Sequence, residues 1–431
     1  MKSCQFGFAS VEVTPPPGIR LYCLENESRS SENIQDPLLA TSFCIQDAVG
    51  GLAIIISVDI IWLSPIICQR VQRRLSTQLC ISPESVFLCA THTHASPQVL
   101  EKSRNFAQPD FNYIVLLVDA IVDSAMRAYT SMCPGTLHIA TVNCPVAVYR
   151  RKAIPDTNAL KGFRWKRFIA NRPVPGHTID DLLTVLRIDD LTGTPRAMML
   201  NLACHPTLFR KNAVSADYPG QIRLLLRERF GFSFETIFLQ GYSGNLKPAI
   251  YRIPPFRFQY PIQSIYSLLF DRLHFNKTLN SNEIKAFANR ILHFMDQAKF
   301  HEIQLERFSA SQISVELPIA TLSEKVSMGV HVLKLGPELS LIGLEGEIFM
   351  EYALWLRSKF SGALPVSFCG GAVGYIPDEV SLELGGYEID RSLDDFGLPG
   401  KFASGIEKLV KTGIIHVLNV ADDKCQIGLS L

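Results

Sequence analysis

The stretch Val86–Pro97, VFLCATHTHASP, decides how the rest of this sequence is interpreted. Its first five residues are apolar and predict a buried strand, and the Ser-Pro pair at its end stops the strand and opens a loop. Residues two apart in a strand point the same way, so His92 and His94 are expected on one face at the strand's end. Two interpretations fit this pattern: a metal site, or a pair of hydrogen-bonded core histidines.

Two later segments also bring chemically active side chains to strand ends. Pro195–Cys204 is predicted to be a strand, and it is followed at once by His205. Thr236–Gln240 is predicted to be another, and it runs into a glycine-bearing turn that contains Lys247 and has neither phosphate-loop nor nucleophile-elbow spacing. Strand ends that feed loops are where α/β enzymes keep their chemistry.

Strands and helices alternate along the chain, which predicts an α/β core. Helical spacing is found at Ser64–Leu79 and at Tyr113–Tyr129. The apolar side of the second helix is predicted to comprise Val115, Leu116, Val118, Ala120, Ile121 and Ala125. No internal repeat, low-complexity tract or clear linker is present in the sequence.

Composition narrows the class of protein. A hydrophobic content of 47% with only 19% charged residues predicts a globular chain with a sizeable core, and the net charge of +1 gives no electrostatic case for nucleic acid or an anionic membrane surface. The longest apolar runs are interrupted well short of a membrane span, so no integral membrane segment is expected. The N-terminus lacks the sustained apolar core of a signal peptide, and we expect a cytoplasmic protein acting on a small molecule.

Several features have two interpretations. The basic cluster Val148–Lys152 is either a solvated loop or, beside a metal, a clamp for a substrate carbonyl or carboxylate. Asp59 and Asp217 are each either a helix cap or an acceptor for an imidazole N–H. The aromatic stretch Tyr251–Phe275 is either core or subunit interface, or a lid over an acyl group. Glu347, taken alone, is typical of helix-dipole stabilisation.

Taken together, these stretches resemble the catalytic domain of the neutral/alkaline ceramidase family. The order and spacing of six motifs carry the resemblance: Thr91–His94, Cys204–Thr207, Ser215–Gly220, Gln240–Asn245, Gly346-Glu347 and Gly374–Pro377. The resemblance implies a mixed β-sheet core flanked by helices. We expect one ceramidase-like domain over residues 1–431 and, as a departure from the family, no C-terminal immunoglobulin-like domain, since the sequence stops at Leu431.

The resemblance further implies a catalytic Zn²⁺ held by His92, His205, Glu347 and Tyr375. His94 and Arg150 match the family's substrate-polarising pair. The set is chemically sensible, because two imidazoles and a carboxylate form a hydrolytic zinc triad and a nearby phenol can ligate or donate to an oxyanion.

One departure from the family concerns Lys247, which stands where the ceramidases carry their catalytic serine. Lys247 is therefore a further candidate site residue, with a surface lysine as the alternative. We expect a hydrolase of linear N-acyl amides in which a zinc-bound water attacks the carbonyl and His94 shuttles protons. The rivals are an amide- or lactam-forming enzyme and a degenerate member acting as a binding module. The expected partner is an N-acyl or lipid-like small molecule, and a homo-oligomer is left open.

Overall fold

The computed structural model describes residues 4–22, 29–106, 108–155, 167–256, 258–276, 278–305 and 307–427. In chain order, the longer strands and those at the site are β1 Gln5–Glu12, β2 Leu39–Gln46, β3 Leu52–Val58, β4 Val86–Ala90, β5 Cys133–Asn143, β6 Ala147–Pro155, β7 Arg167–Val174, β8 Leu182–Asp190, β9 Pro195–Leu202, β10 Glu235–Gln240, β11 Leu246–Pro248, β12 His301–Ile303, β13 Ser309–Pro318, β14 Lys325–Lys334, β15 Ser340–Leu344, β16 Glu347–Ile348, β17 Ala363–Val366 and β18 Tyr375–Ile376. Two-residue strands pair Arg20–Leu21 with Arg29–Ser30, Asn33–Ile34 with Ala213–Val214, and Tyr251–Arg252 with His274–Phe275.

The helices are α1 Pro65–Leu79, α2 Phe111–Thr130, α3 Asp217–Phe230, α4 Pro261–Phe270, α5 Ser281–Met295, α6 Met350–Lys359, α7 Glu379–Leu384, α8 Tyr387–Asp390 and α9 Ile406–Ile427. Short 3₁₀ turns lie at Pro83–Ser85 and Leu393–Asp395.

A nine-stranded sheet forms the centre of the described chain. Its strand order is β10-β9-β8-β5-β1-β2-β3-β4, and β12 pairs with β5 beside this path. The pairs β9–β10 and β3–β4 are parallel and the other neighbours are antiparallel, so the sheet is mixed. The predicted α/β class with a mixed sheet and flanking helices is confirmed.

Both faces of this sheet are covered, which explains why β3 is buried at every position. One face packs against α1, α2, α3 and α5, and the other packs against the four-stranded sheet β13-β14-β15-β17. Helix α9 lies on the outer face of that second sheet. The layers therefore run helix, sheet, sheet, helix, and their apolar contacts fix the strand ends that carry the site.

Helix α2 shows where the predicted burial was wrong. Val115 and Leu116 were assigned to its apolar side, but they are 52% and 63% exposed. The buried stripe instead follows Tyr113, Ile114, Leu117, Val118, Ile121, Val122 and Ala125, which recur at helical spacing. Helix α2 carries more apolar residues than one face can bury, so Val115 and Leu116 remain exposed to solvent.

A smaller three-stranded sheet, in the order β7-β6-β11, corrects the interpretation of the basic cluster. The stretch Val148–Lys152 is not a solvated loop, because it forms the middle of β6. Arg150 and Arg151 are both buried there. β11 places Lys247 opposite Val148 on the neighbouring strand, so this small sheet carries Arg150, Arg151 and Lys247 on two adjacent strands.

Candidate metal centre

Three histidines converge where β4 and β9 end. His92 lies two residues beyond β4, and its backbone adopts a left-handed conformation with φ of 68°. Such a conformation is costly for a residue with a side chain and is found mainly where the surroundings enforce it. The sequence predicted that His92 and His94 share one face of a strand, and this was wrong. A tight turn brings their rings together instead. His205 arrives from β9, and all three residues are buried.

The Nε2 atoms of these imidazoles face one point. The distance from His92 Nε2 to His205 Nε2 is 2.9 Å, from His94 Nε2 to His92 Nε2 it is 3.2 Å, and from His205 Nε2 to His94 Nε2 it is 3.1 Å. Nitrogen donors bound to one tetrahedral zinc lie about 3.3 Å apart. The spacing of the three nitrogens is thus close to that of a ligand set.

The other ring nitrogens fix the tautomers of two of the imidazoles. His92 Nδ1 lies 2.6 Å from the carbonyl oxygen of Ile61, and His205 Nδ1 lies 3.2 Å from that of Ser243. A carbonyl only accepts, so both Nδ1 atoms carry the proton and both Nε2 atoms present a lone pair. Two lone pairs facing each other at 2.9 Å repel unless a positive centre or a donated proton lies between them, and a cation fits this arrangement.

His94 differs from the other two histidines. Its Nδ1 is buried and has no hydrogen-bond partner among the described residues. Metal-bound imidazoles usually donate their second N–H to a carbonyl or carboxylate, as His92 and His205 do. His94 therefore lies at ligand distance but lacks the support that a ligand usually has.

Burial lowers the basicity of all three rings. Desolvation, opposed by the hydrogen bond to Ile61, lowers the pKa of His92 to about 3. Desolvation is the main reason that the pKa of His94 and of His205 lies well below the usual value, and repulsion from neighbouring histidines and from Arg150 adds to the effect. The imidazoles are consequently neutral at pH 7, which is the state that binds a metal.

Glu347 and Tyr375 come from two short parallel strands, β16 and β18, which pair these two residues directly. Glu347 Oε2 lies 3.7 Å from both His92 Nε2 and His205 Nε2. This buried oxygen has no hydrogen-bond partner in the part of the chain described. Burial raises the pKa of Glu347 to about 8, against the opposing effects of Arg150 and of a hydrogen bond from Tyr375. The carboxyl group is oriented toward the imidazoles without being satisfied by them.

Arg150 lies beside this carboxylate and holds the phenol of Tyr375. Its Nη2 donates to Tyr375 Oη at 3.2 Å and to the carbonyl oxygen of Gly244 at 2.6 Å. Its Nε lies 3.1 Å from Glu388 Oε1, and Arg151 Nη1 lies 2.5 Å from Glu388 Oε2. The sequence analysis assigned no role to Glu388. The adjacent arginines Arg150 and Arg151 could have indicated it, because two arginines on a buried strand require a buried anion.

The remaining candidates lie around the cluster rather than in it. Lys247 is buried, and its Nζ lies 5.2 Å from the centre of the Phe275 ring. Asp217 accepts the backbone N–H groups of Leu208 and Phe209, so it holds the loop after His205. Its Oδ1 also accepts the N–H of Tyr218 in the first turn of α3, and the hydrogen bonds described give it no imidazole partner.

Asp59 likewise contacts no imidazole in the hydrogen bonds described. Its Oδ2 accepts from Leu39 N at 2.9 Å and from Arg223 Nη2 at 2.7 Å. The N-cap of α1 is Ser64, so the helix-cap interpretation of Asp59 was also wrong. Asp59 therefore connects β2 to α3 through these two hydrogen bonds.

Comparison with known proteins shows the family of this chain. The sequence profile for the N-terminal part of neutral/alkaline non-lysosomal ceramidases matches residues 5–235, which is more than half of the 431 residues. The chain belongs to the neutral/alkaline ceramidase family. The family resemblance inferred from the motifs is thereby confirmed, and this ceramidase-family chain belongs to a group of hydrolases that act on amide bonds.

Solved structures share the fold of this ceramidase-family protein. The neutral ceramidase from Pseudomonas aeruginosa matches with a TM-score of 0.68 and 15% identity, over 90% of this chain and 71% of that one. A ceramidase complexed with C2 matches with a TM-score of 0.69 and 15% identity, over 93% and 73% of the two chains. A search of curated protein sequences found no match. No helix in the described part of the chain is long and apolar enough to cross a membrane.

Proposed function

We propose that this protein is a zinc-dependent amidohydrolase that cleaves the C–N bond of a linear N-acyl amide with water. The observation that carries the proposal is the pair of Nε2 lone pairs of His92 and His205, which face each other beside the unsatisfied Oε2 of Glu347. Family membership supports the reaction class. The proposal treats residues 1–431 as one ceramidase-like domain.

The residues present fit a zinc ion. His92, His205 and Glu347 offer two neutral nitrogens and one carboxylate oxygen, which is a donor set typical of hydrolytic zinc sites. Tyr375 would be the fourth ligand or a hydrogen-bond donor next to it. When bound, zinc supplies a Lewis acid that polarises the amide carbonyl and makes water a stronger nucleophile.

The protein's own groups would handle charge and protons. Arg150 Nη2 donates to Tyr375 Oη at 3.2 Å on one side of the cluster, where the positive guanidinium and the phenol can together stabilise an oxyanion that develops on the carbonyl oxygen. Glu388 keeps the Arg150 guanidinium in place, because it pairs with Arg150 Nε on the opposite side. Arg150 is thus oriented before the substrate binds, which makes its electrostatic effect larger.

His94 is the proposed proton carrier. Its Nδ1 is not committed to a carbonyl in the described contacts, so its ring can change protonation state without breaking a supporting hydrogen bond. It would take a proton from the attacking water and deliver it to the departing amine nitrogen. Its lowered pKa keeps it in the basic form at neutral pH, as the first of these steps requires.

Exposed apolar side chains in the segment Tyr251–Phe275 support an acyl substrate. Within the segment Tyr251–Phe275, Phe258 is 87% exposed and Leu269 is 69% exposed, so the segment is not part of the core. The segment begins and ends in a two-residue strand pair whose last residue, Phe275, contacts Lys247. Exposed apolar surface on a segment that contacts Lys247 is suited to a hydrocarbon chain.

Isotope incorporation tests the proposed reaction. We expect the zinc-loaded protein to release fatty acid from a panel of N-acyl amides, including ceramide, and to place one ¹⁸O atom per acid when turnover occurs in H₂¹⁸O. Mass spectrometry of the product acid provides the measurement, and Lys285→Met, on the exposed face of α5, serves as the folded control. Condensation of acid and amine without net hydrolysis would favour the amide-forming alternative, and the absence of any turnover would favour a binding module.

A further inference from the structure

Lys247 is a buried lysine whose Nζ has no carboxylate partner among the described residues, and burial lowers its pKa well below the usual value. It is 6% exposed, and no carboxylate of the described residues lies within salt-bridge distance of its Nζ. The anion that most favours its charge is Glu388, which is already paired with Arg150 and Arg151. A buried charge usually has a partner, so this site is electrostatically incomplete.

Lys247 lines a pocket that also contains polar and apolar groups. Arg210, Asn276 and Phe275 contribute to its wall, and its cavity volume is about 20 Å³, which is room for one small polar group. Arg210 Nε donates to the carbonyl oxygen of Thr207 at 3.2 Å, which helps to orient the guanidinium at the wall. Asn276 Oδ1 is buried without a hydrogen-bond partner among the described residues, and it offers an acceptor to a bound molecule.

The pocket adjoins the histidine cluster on two chain segments. Thr207 lines it and lies two residues after His205. Lys247 lies four residues after Ser243, whose carbonyl accepts from His205 Nδ1. Arg210 and Lys247 are close enough to His94 that their charges help to lower its pKa. These links place the pocket beside the cluster.

From this geometry we infer that the pocket is a subsite for a carboxylate on the substrate, so that the preferred amides are N-acyl amino acids rather than neutral N-acyl amides. The inference rests on the proposed hydrolase function and adds the chemical class of the amine portion. Lys247 would pair with the carboxylate, and Asn276 Oδ1 would accept an N–H group. Burial, and after it the positive charges of Arg210 and Arg150, disfavour the charged form of Lys247, and a bound anion would favour that form.

A pair of matched substrates tests the inference. The ratio of kcat/KM for N-dodecanoylglycine to that for N-dodecanoylglycinamide is measured in the zinc-loaded protein. We expect the wild type to prefer the carboxylate, and Lys247→Met to lower the ratio by about 10- to 100-fold, as expected for the loss of a charged hydrogen bond. Lys247→Arg should keep most of the preference, and the exposed control Lys285→Met should leave the ratio unchanged.

The outcomes separate the two proposals. Hydrolysis of both substrates with a ratio that Lys247→Met does not alter overturns the carboxylate subsite and leaves the hydrolase proposal standing. Hydrolysis of neither substrate, together with no turnover of other N-acyl amides, overturns the proposed function. If turnover of Lys247→Met is too slow to measure, calorimetric binding of the two compounds to the folded variant replaces the rates. Loss of the preference then supports the inference, and an unchanged preference contradicts it.

Discussion

His205→Ala will remove bound metal and hydrolysis together. His205 is one of two imidazoles whose Nε2 lone pair is fixed by a carbonyl behind the ring, and a zinc held by one imidazole and one carboxylate is poorly retained. We expect metal content to fall well below one equivalent and turnover to fall by at least about 10³-fold, since the Lewis acid contributes several kcal/mol. Elemental analysis after gel filtration and steady-state assays provide the measurements.

A matched control separates loss of metal from loss of packing. His331 is also buried, and it lies in β14 of the second sheet, so His331→Ala removes an imidazole of equal size elsewhere in the core. That variant should be less stable to heat but should keep metal and turnover. Full metal content in folded His205→Ala would contradict the assignment of His205 as a ligand.

His94→Ala should behave differently from His205→Ala. If His94 carries protons rather than metal, the variant keeps about one equivalent of zinc and loses about 10²–10⁴-fold in kcat, the range expected for removing a positioned general acid–base group. Metal content and kcat are measured on the same preparation. The missing hydrogen bond at His94 Nδ1 is the structural reason for this expectation.

The competing outcome for His94 is equally specific. Its Nε2 lies 3.1 Å from His205 Nε2, a distance that also suits a third imidazole ligand. Loss of zinc from His94→Ala, in a protein that remains folded by circular dichroism, would make His94 a ligand and remove it from the proton-transfer role.

Local patterns were sufficient to predict the strands that lead to the site. The apolar run Val86–Ala90 became β4 at every residue, and His205 follows β9 as expected. Patterns of this kind depend on neighbours in sequence, which is why they can be recognised without a structure. The turn at His92 could not be predicted in the same way, because a left-handed conformation at a histidine is imposed by surrounding contacts such as its stacking on Phe368, 3.8 Å away between ring centres.

Long-range pairing accounts for what the sequence did not predict. Glu347 and Tyr375 are 28 residues apart, yet they lie side by side because β16 and β18 pair in parallel. The motifs suggested both residues through family resemblance, whereas periodicity alone would have left Glu347 as a helix-dipole residue. The burial of Arg150 depends equally on Glu388, more than 200 residues away, and no local pattern contains that information.

Calorimetric titration of Zn²⁺ into chelator-treated protein across pH tests the metal centre most directly. The site is predicted to bind one zinc. Burial raises the pKa of Glu347 to about 8 in the metal-free protein, so below pH 8 its proton must leave before the metal binds. The affinity for zinc should therefore fall about tenfold for each unit by which the pH is lowered. The histidines have a lowered pKa, so they should add nothing to the pH dependence of zinc affinity between pH 6 and 8. The Glu347→Gln variant should bind zinc more weakly, and its affinity should not change with pH in this range. Absence of zinc binding, or binding of equal strength and pH dependence in Glu347→Gln, would contradict the account.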